Sequence, residues 1–262
     1  MNVPKVELKP CFLSPKKLKP EYPLFVYLPG MDGTGQLLRS QTSGLEVGFD
    51  VRCLAIPRND LTSWEDLSNN VIDLVHAELK RNLQRPVYLC GESFGGCLAQ
   101  KVAIAAPHLF KRIILINPAS SFKLRSWYVW ASPLMNLVPE WVYDVSPVGL
   151  LPFLAALTRI TQSDRQELLE TVGSVPRETI IWRISLLRQF EIDEAKLSQL
   201  TQPTLILASL EDRLLPSQEE AQRLNNLFPN SNIVNLPNSG HACLLEAEIN
   251  LYNILKSTNF IE

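Results

Sequence analysis

Gly91-Glu92-Ser93-Phe94-Gly95 restricts the fold of this chain more than any other stretch. Before it runs Pro86-Val87-Tyr88-Leu89-Cys90, a short apolar run that reads as a buried strand. After it, residues 94–106 are rich in Ala, Val, Leu and Ile, with only Gln100 and Lys101 strongly polar, and read as a buried helix. A G-x-S-x-G between strand and helix predicts a turn so sharp that the serine is held at strained backbone angles with its hydroxyl exposed. The glycines two residues either side follow from the same geometry, because converging strand and helix leave no room for a Cβ. The pentapeptide alone is common in Gly-rich loops; its flanks give it weight.

The same alternation extends outward. Leu24-Phe25-Val26-Tyr27-Leu28 reads as a strand running into the Gly-rich turn Pro29-Gly30-Met31-Asp32-Gly33-Thr34-Gly35, with a helix expected over 36–42. A short edge strand is expected near 11–13 and a second full strand over 50–56. Thr62 and Glu65 stand in capping-box spacing before a helix whose apolar face is Leu67, Val71, Leu74, Val75 and Leu79. Another strand follows over 112–117. Strands alternating with helices at this pitch predict an α/β fold with a mostly parallel sheet flanked by helices.

The alternation stops at Pro118 and resumes at 203, with strands over 203–208 and 232–236 and helices over 217–227 and 244–255. Residues 1–118 and 203–262 are therefore expected to form the core, and 119–202 a helical lid inserted in it. Four of the five tryptophans fall in that insertion (Trp127, Trp130, Trp141, Trp182), and between Ser126 and Thr158 the only charges are Glu140 and Asp144. Prolines at 133, 139, 147 and 152 divide it into short helices. Its aromatic residues predict, beyond self-packing, a pocket for an apolar chain in which Trp127, Trp130 and Trp141 touch substrate, and a face able to rest on a membrane.

A net charge of −2 without a basic stripe gives no basis for nucleic-acid binding. The five cysteines are scattered and form no C-x-x-C, so reduced thiols in a cytoplasmic compartment are expected. The lysine- and proline-rich start lacks the apolar core of a secretory signal, and no run is long enough to span a membrane.

A serine hydroxyl attacks only when a base takes its proton. Of the three histidines, His76 falls within a helix and His108 at the end of one, where structural or surface roles are expected. His241 lies in a Ser-Gly-His loop between the last strand and the last helix and is the expected base. Asp212, closing a buried strand four residues before Pro216, is the expected acid; Glu211 competes, and Asn117 at another strand end carries an amide and cannot serve. The order Ser93, Asp212, His241 resembles that of α/β-hydrolases. The backbone N–H groups of Phe94 and Met31 are the expected donors to an oxyanion. The Gly-rich turn lacks the Lys-Ser/Thr of a phosphate-binding loop, and Asp32 in it is expected to form the turn. No cluster has metal-ligand spacing, so neither metal nor cofactor is expected.

Three stretches carry a narrower resemblance: Leu28-Pro29-Gly30-Met31-Asp32-Gly33-Thr34-Gly35, Gly91-Glu92-Ser93-Phe94-Gly95-Gly96-Cys97-Leu98-Ala99 and Asn117-Pro118-Ala119-Ser120-Ser121-Phe122. They resemble the hydrolase half of the plant plastid phytyl ester synthases, including Pro29 where many α/β-hydrolases have histidine. The resemblance implies hydrolysis of a lipophilic ester or thioester through Ser93, His241 and Asp212, or transfer of the acyl group to a lipid alcohol with the same residues. The plant members carry a further acyltransferase-like region, and the chain ends at Glu262 without one, which weights the expectation toward hydrolysis. Carbon–carbon bond cleavage on the same triad and a ligand-holding shell without catalysis are the lesser alternatives.

Overall fold

The computed structural model describes residues 9–13, 18–80, 82–124 and 151–261. Its sheet has seven strands in the order β1-β3-β2-β4-β5-β6-β7. They are β1 Cys11–Leu13, β2 Leu24–Leu28, β3 Asp50–Ala55, β4 Val87–Glu92, β5 Arg112–Ile116, β6 Thr204–Ser209 and β7 Ser231–Leu236. All pairings are parallel except that of β1 with β3, where Cys11 faces Ala55. Helices that lie wholly within the described residues are α1 Arg39–Leu45, α2 Trp64–Leu79, α3 Phe94–Ala105, α4 Gln162–Gly173, α5 Arg177–Arg188, α6 Glu194–Leu197, α7 Ser217–Leu227 and α8 Leu251–Ser257. From β2 the chain builds outward to β3, then crosses to β4 on the other side of β2. The loops after β2 and β4 thus part at the carboxyl edge, the switch point at which parallel sheets bind ligands.

Period-two alternation divides the core. Leu24, Val26, Leu28, Val87, Leu89, Ile113, Leu115 and Ile206 face one layer, which α2, α3, α5 and α7 join. Phe25, Tyr27, Tyr88, Cys90, Ile114, Ile116, Leu205 and Leu207 face the other, covered by α1 and α8. Burial on both faces explains why these strands read as unbroken apolar runs.

Helix ends depart from the expected positions for identifiable reasons. Ser63, not Thr62, caps α2: its hydroxyl accepts from the Asp66 N–H at 3.1 Å, while Thr62 is tied to the Asp60 side chain. A 3-10 turn over Gln36–Leu38 delays α1 to Arg39. The last expected helix is broken into a 3-10 turn, Cys243–Leu245, and α8, capped by Asn250. Gln41 bridges the break, donating to the carbonyls of Leu244 (2.7 Å) and Ile249 (2.8 Å) and accepting from the Leu251 N–H (2.8 Å).

Between β5 and β6, α4 is held by ion pairs from Arg39 to Asp164 and Glu167, and α5 by the Trp64 indole donating to the Leu186 carbonyl at 3.0 Å. Trp127, Trp130 and Trp141 lie outside the described residues. No described helix is long and apolar enough to cross a membrane.

Candidate active site

β4 ends at Glu92 and α3 begins at Phe94, so the reversal falls on one residue. Ser93 makes it at φ 52° and ψ −115°, a region costing roughly 1–3 kcal/mol for a residue with a side chain. Its N–H donates to the Ile116 carbonyl at 3.0 Å, and its carbonyl accepts from Gly96 and Ala119. The flanking glycines are required as expected. A Cβ on Gly91 would stand 2.7 Å from the Ala99 Cβ, and one on Gly95 2.5 Å from the Leu28 carbonyl carbon.

The chain's distant histidine and aspartate meet this serine. His241 Nε2 is 2.9 Å from Ser93 Oγ, and His241 Nδ1 is 2.8 Å from Asp212 Oδ2. All three side chains are buried. Asp212 Oδ1 accepts from the N–H groups of Leu214 (2.8 Å) and Leu215 (2.9 Å), and Ser217 donates its hydroxyl to Oδ2. Burial pushes the Asp212 carboxyl up, but the His241 imidazole and these donors outweigh it and hold the group below the usual carboxylate value. For His241, burial disfavours the cation, yet the Asp212 charge and hydrogen bond, with the Glu92 charge, raise it above the ordinary imidazole value. Such a chain can take a proton from a hydroxyl and return it to a leaving group. Glu211, His76 and His108 are exposed and away from this chain of bonds.

The turn after β2 closes through a hydrogen bond from the Gly33 N–H to the Gly30 carbonyl (3.0 Å). Asp32 shapes it, accepting from the N–H (2.8 Å) and hydroxyl (2.6 Å) of Thr34, as its turn-forming reading anticipated. A Cβ on Gly30 would stand 3.8 Å from that of Ser93, so the turn flanks the serine. The N–H groups of Met31 and Phe94 have no acceptor among the described residues.

Four supporting side chains escaped the sequence reading. Glu246 is buried behind the histidine loop, accepting from Ser239 Oγ (2.8 Å), Gly240 N (2.8 Å) and Arg159 Nε (2.7 Å). Asn117, at φ 42°, donates to the His241 carbonyl (2.8 Å) and accepts from the Ser209 N–H (2.8 Å), bracing β5, β6 and that loop. Glu92 accepts from the Tyr27 hydroxyl, and burial pushes its carboxyl up to about 7 against the opposing effects of Tyr27 and His241. Arg183 of α5 is buried with its guanidinium on the Met31 carbonyl. A polar residue at the end of an apolar strand was the one available hint, and it pointed to Glu92 and Asn117 without giving their partners.

The serine aminopeptidase S33 hydrolase model matches residues 56–248, a span containing Ser93, Asp212 and His241. The chain belongs to this family of α/β-hydrolases. Phytyl ester synthase 1, chloroplastic, of Arabidopsis thaliana is 36% identical to this α/β-hydrolase over 259 residues, covering 90% of the chain and 37% of the relative. The chain thus spans under two-fifths of that relative's length, and the resemblance carried by the three stretches holds. Putative carbamate hydrolase RutD of Pseudomonas savastanoi pv. phaseolicola is 26% identical over 231 residues, covering 84% of the chain and 87% of the relative. The solved structure of MenH from S. aureus superimposes at a TM-score of 0.75 over 96% of this chain and 99% of its own, at 15% identity, a likeness of fold alone.

Proposed function

We propose that this α/β-hydrolase cleaves carboxylic esters or thioesters of lipophilic acids through an acyl-enzyme. The observation that carries the reading is the unbroken hydrogen-bond chain from Ser93 through His241 to Asp212, at 2.9 and 2.8 Å. Ser93 Oγ attacks the carbonyl carbon as His241 Nε2 takes its proton, and Asp212 favours the imidazolium that forms. The oxygen turning negative is met by the N–H groups of Met31 and Phe94. His241 then protonates the leaving alcohol or thiol, and water, activated in the same way, releases the acid. Residues 119–202 serve as the lid in this reading, and Trp127, Trp130 and Trp141, outside the described residues, are its proposed substrate contacts, with peripheral membrane contact proposed for the same segment. Five free cysteines accord with a reducing compartment.

A fluorophosphonate probe tests the nucleophile: labelling of the wild type and its loss in Ser93→Ala are expected, and full labelling of the variant sinks the proposal. Turnover of p-nitrophenyl esters and acyl-CoAs of increasing length tests the substrate class, with efficiency expected to rise toward long chains. A preference for acetate would mean that the aromatic segment only packs.

The second reading is transfer of the acyl group to a lipid alcohol. It is favoured by the 36% identity to a relative named phytyl ester synthase. Supplying phytol with an acyl donor and looking for the ester separates it from hydrolysis.

A further inference from the structure

Arg183 holds one of the largest side chains buried in the molecule, on a helix that is already attached by other means. Leu186 and Leu187 of α5 pack into the core layer below, the Trp182 indole donates to the Thr62 carbonyl at 2.9 Å, and the Trp64 indole donates to α5 at Leu186. An apolar residue at 183 would serve such docking without the several kcal/mol that burying a cation costs. The guanidinium instead reaches the turn after β2. Nη1 donates to the Met31 carbonyl at 2.5 Å, and Nη2 lies 3.4 Å from the Pro57 carbonyl. The turn is shaped to admit it: a Cβ on Gly33 would stand 2.8 Å from both terminal nitrogens. Burial pulls the guanidinium below its ordinary value, and the charges of Asp32 and Asp60 recover only part of that cost.

The carbonyl that Arg183 grips belongs to the central peptide of the β-turn Gly30-Met31-Asp32-Gly33, whose 30–33 hydrogen bond is in place. With Asp32 at its third corner and no positive φ there, the turn is confined to the type that keeps φ negative, so the grip fixes the place of Met31 itself rather than choosing between turn types. We infer that Arg183 is a positioning residue: from α5 it anchors Met31 by its carbonyl, so that the N–H of the same residue, one peptide earlier and beside Ser93, is held in place only while α5 is seated. The segment between β5 and β6 would then assemble the site as well as cover it. This inference rests on the hydrolase reading for its kinetic consequence and on the turn alone for its structural one.

The test compares Arg183→Ala with Trp182→Phe, which removes a docking bond of α5 without touching the turn. For Arg183→Ala, kcat on a p-nitrophenyl ester is expected to fall about 10- to 100-fold with KM nearly unchanged, as when a transition-state donor is misaimed. Millimolar guanidinium should restore part of that loss. Amide hydrogen exchange at residues 31–35 should rise while that of 94–98 stays as it was. Trp182→Phe should melt earlier yet keep its kcat and its slow exchange in the turn. Unchanged exchange and kcat in Arg183→Ala, or equal effects in both variants, would overturn the inference. Should the alanine variant not fold, Arg183→Lys carries the same readouts, since it keeps a cation and loses the planar fork. If the wild type neither turns over esters nor labels, the hydrolase reading fails, and the exchange experiment still decides whether Arg183 locks the turn.

Discussion

Replacing Gly95 with alanine tests how closely the elbow and the turn after β2 are fitted. The added Cβ would stand 2.0 Å from the Leu28 carbonyl oxygen and 2.5 Å from its carbon and from the Pro29 oxygen, all main-chain atoms that no rotamer change can move. Ordinary contact begins at 3.4 Å, so the first turn of α3 and the end of β2 must part by about 1.4 Å. That displacement separates the Phe94 N–H from the turn holding Met31, between which the oxyanion of the proposed mechanism would lie. A misplacement of about 1 Å costs on the order of 10²-fold in rate, or about 2.7 kcal/mol of transition-state stabilisation. Overpacking a well-fitted core costs about 1–3 kcal/mol of stability in addition. The assay is the second-order rate of fluorophosphonate labelling and kcat/KM on an ester, beside thermal melting. Gly44→Ala is the control: there the new Cβ meets only the end of the Asn250 side chain, at 3.3 Å, and α1 gains a better helix former. A Gly95→Ala protein that melts and labels like the wild type would refute the argument from backbone contact.

Three further outcomes follow from buried charges. With its carboxyl raised from 4.5 to about 7, Glu92 binds its proton more tightly folded than unfolded, so stability present below pH 4.5 is given up as pH rises toward 7. Glu92→Gln should flatten that fall in melting temperature and, by removing a charge that raises His241, move the acid limb of kcat/KM to lower pH; an unmoved limb would count against the contact. Glu246→Ala removes the acceptor for Ser239, Gly240 and Arg159, and kcat should fall about 10-fold or more as the histidine loop loosens, with Glu246→Gln milder because its carbonyl still accepts one of those bonds. Asp50→Ala takes from the buried Arg85 guanidinium its carboxylate partner at 2.6 Å and from Arg52 one of two, at 2.8 Å, and calorimetry should show about 3–5 kcal/mol less stability.

What could be read from the residues was whatever local chemistry dictates. Gly91 and Gly95 announce an elbow because a Cβ is excluded there, and an apolar run on either side of them can only be buried. Chain order then selected Asp212 and His241, since loops after successive parallel strands open at one edge. Bonds between distant side chains left no such trace. Arg183 lies 152 residues from the carbonyl it grips, and on α5 it reads like any solvent-facing charge. Gln41 splits the last helix from more than two hundred residues away, which no capping pattern near Leu244 could have announced. The shift of the α2 cap from Thr62 to Ser63 is smaller in kind: Asp60 binds Thr62 first, and Ser63 with Asp66 forms the equivalent pair one residue on.

The two ends of the sheet divide the work between them. At the amino ends of β3 and β4, Asp50, Arg52 and Arg85 are buried together with every charge opposed, Arg52 reaching on to Glu78 at 2.9 Å. There Asp50 sits below its usual value, because two guanidiniums outweigh its burial, and the network adds to stability at neutral pH. At the carboxyl ends the balance is reversed. Asp32 and Glu92 are buried with their carboxyls raised, Ser93 stands at a strained φ, and Asn117 does so as well. A sheet that held only folding residues would have no reason to keep strain and costly charge at one edge, whereas a site poised to stabilise a short-lived anion needs fixed dipoles there before the substrate arrives.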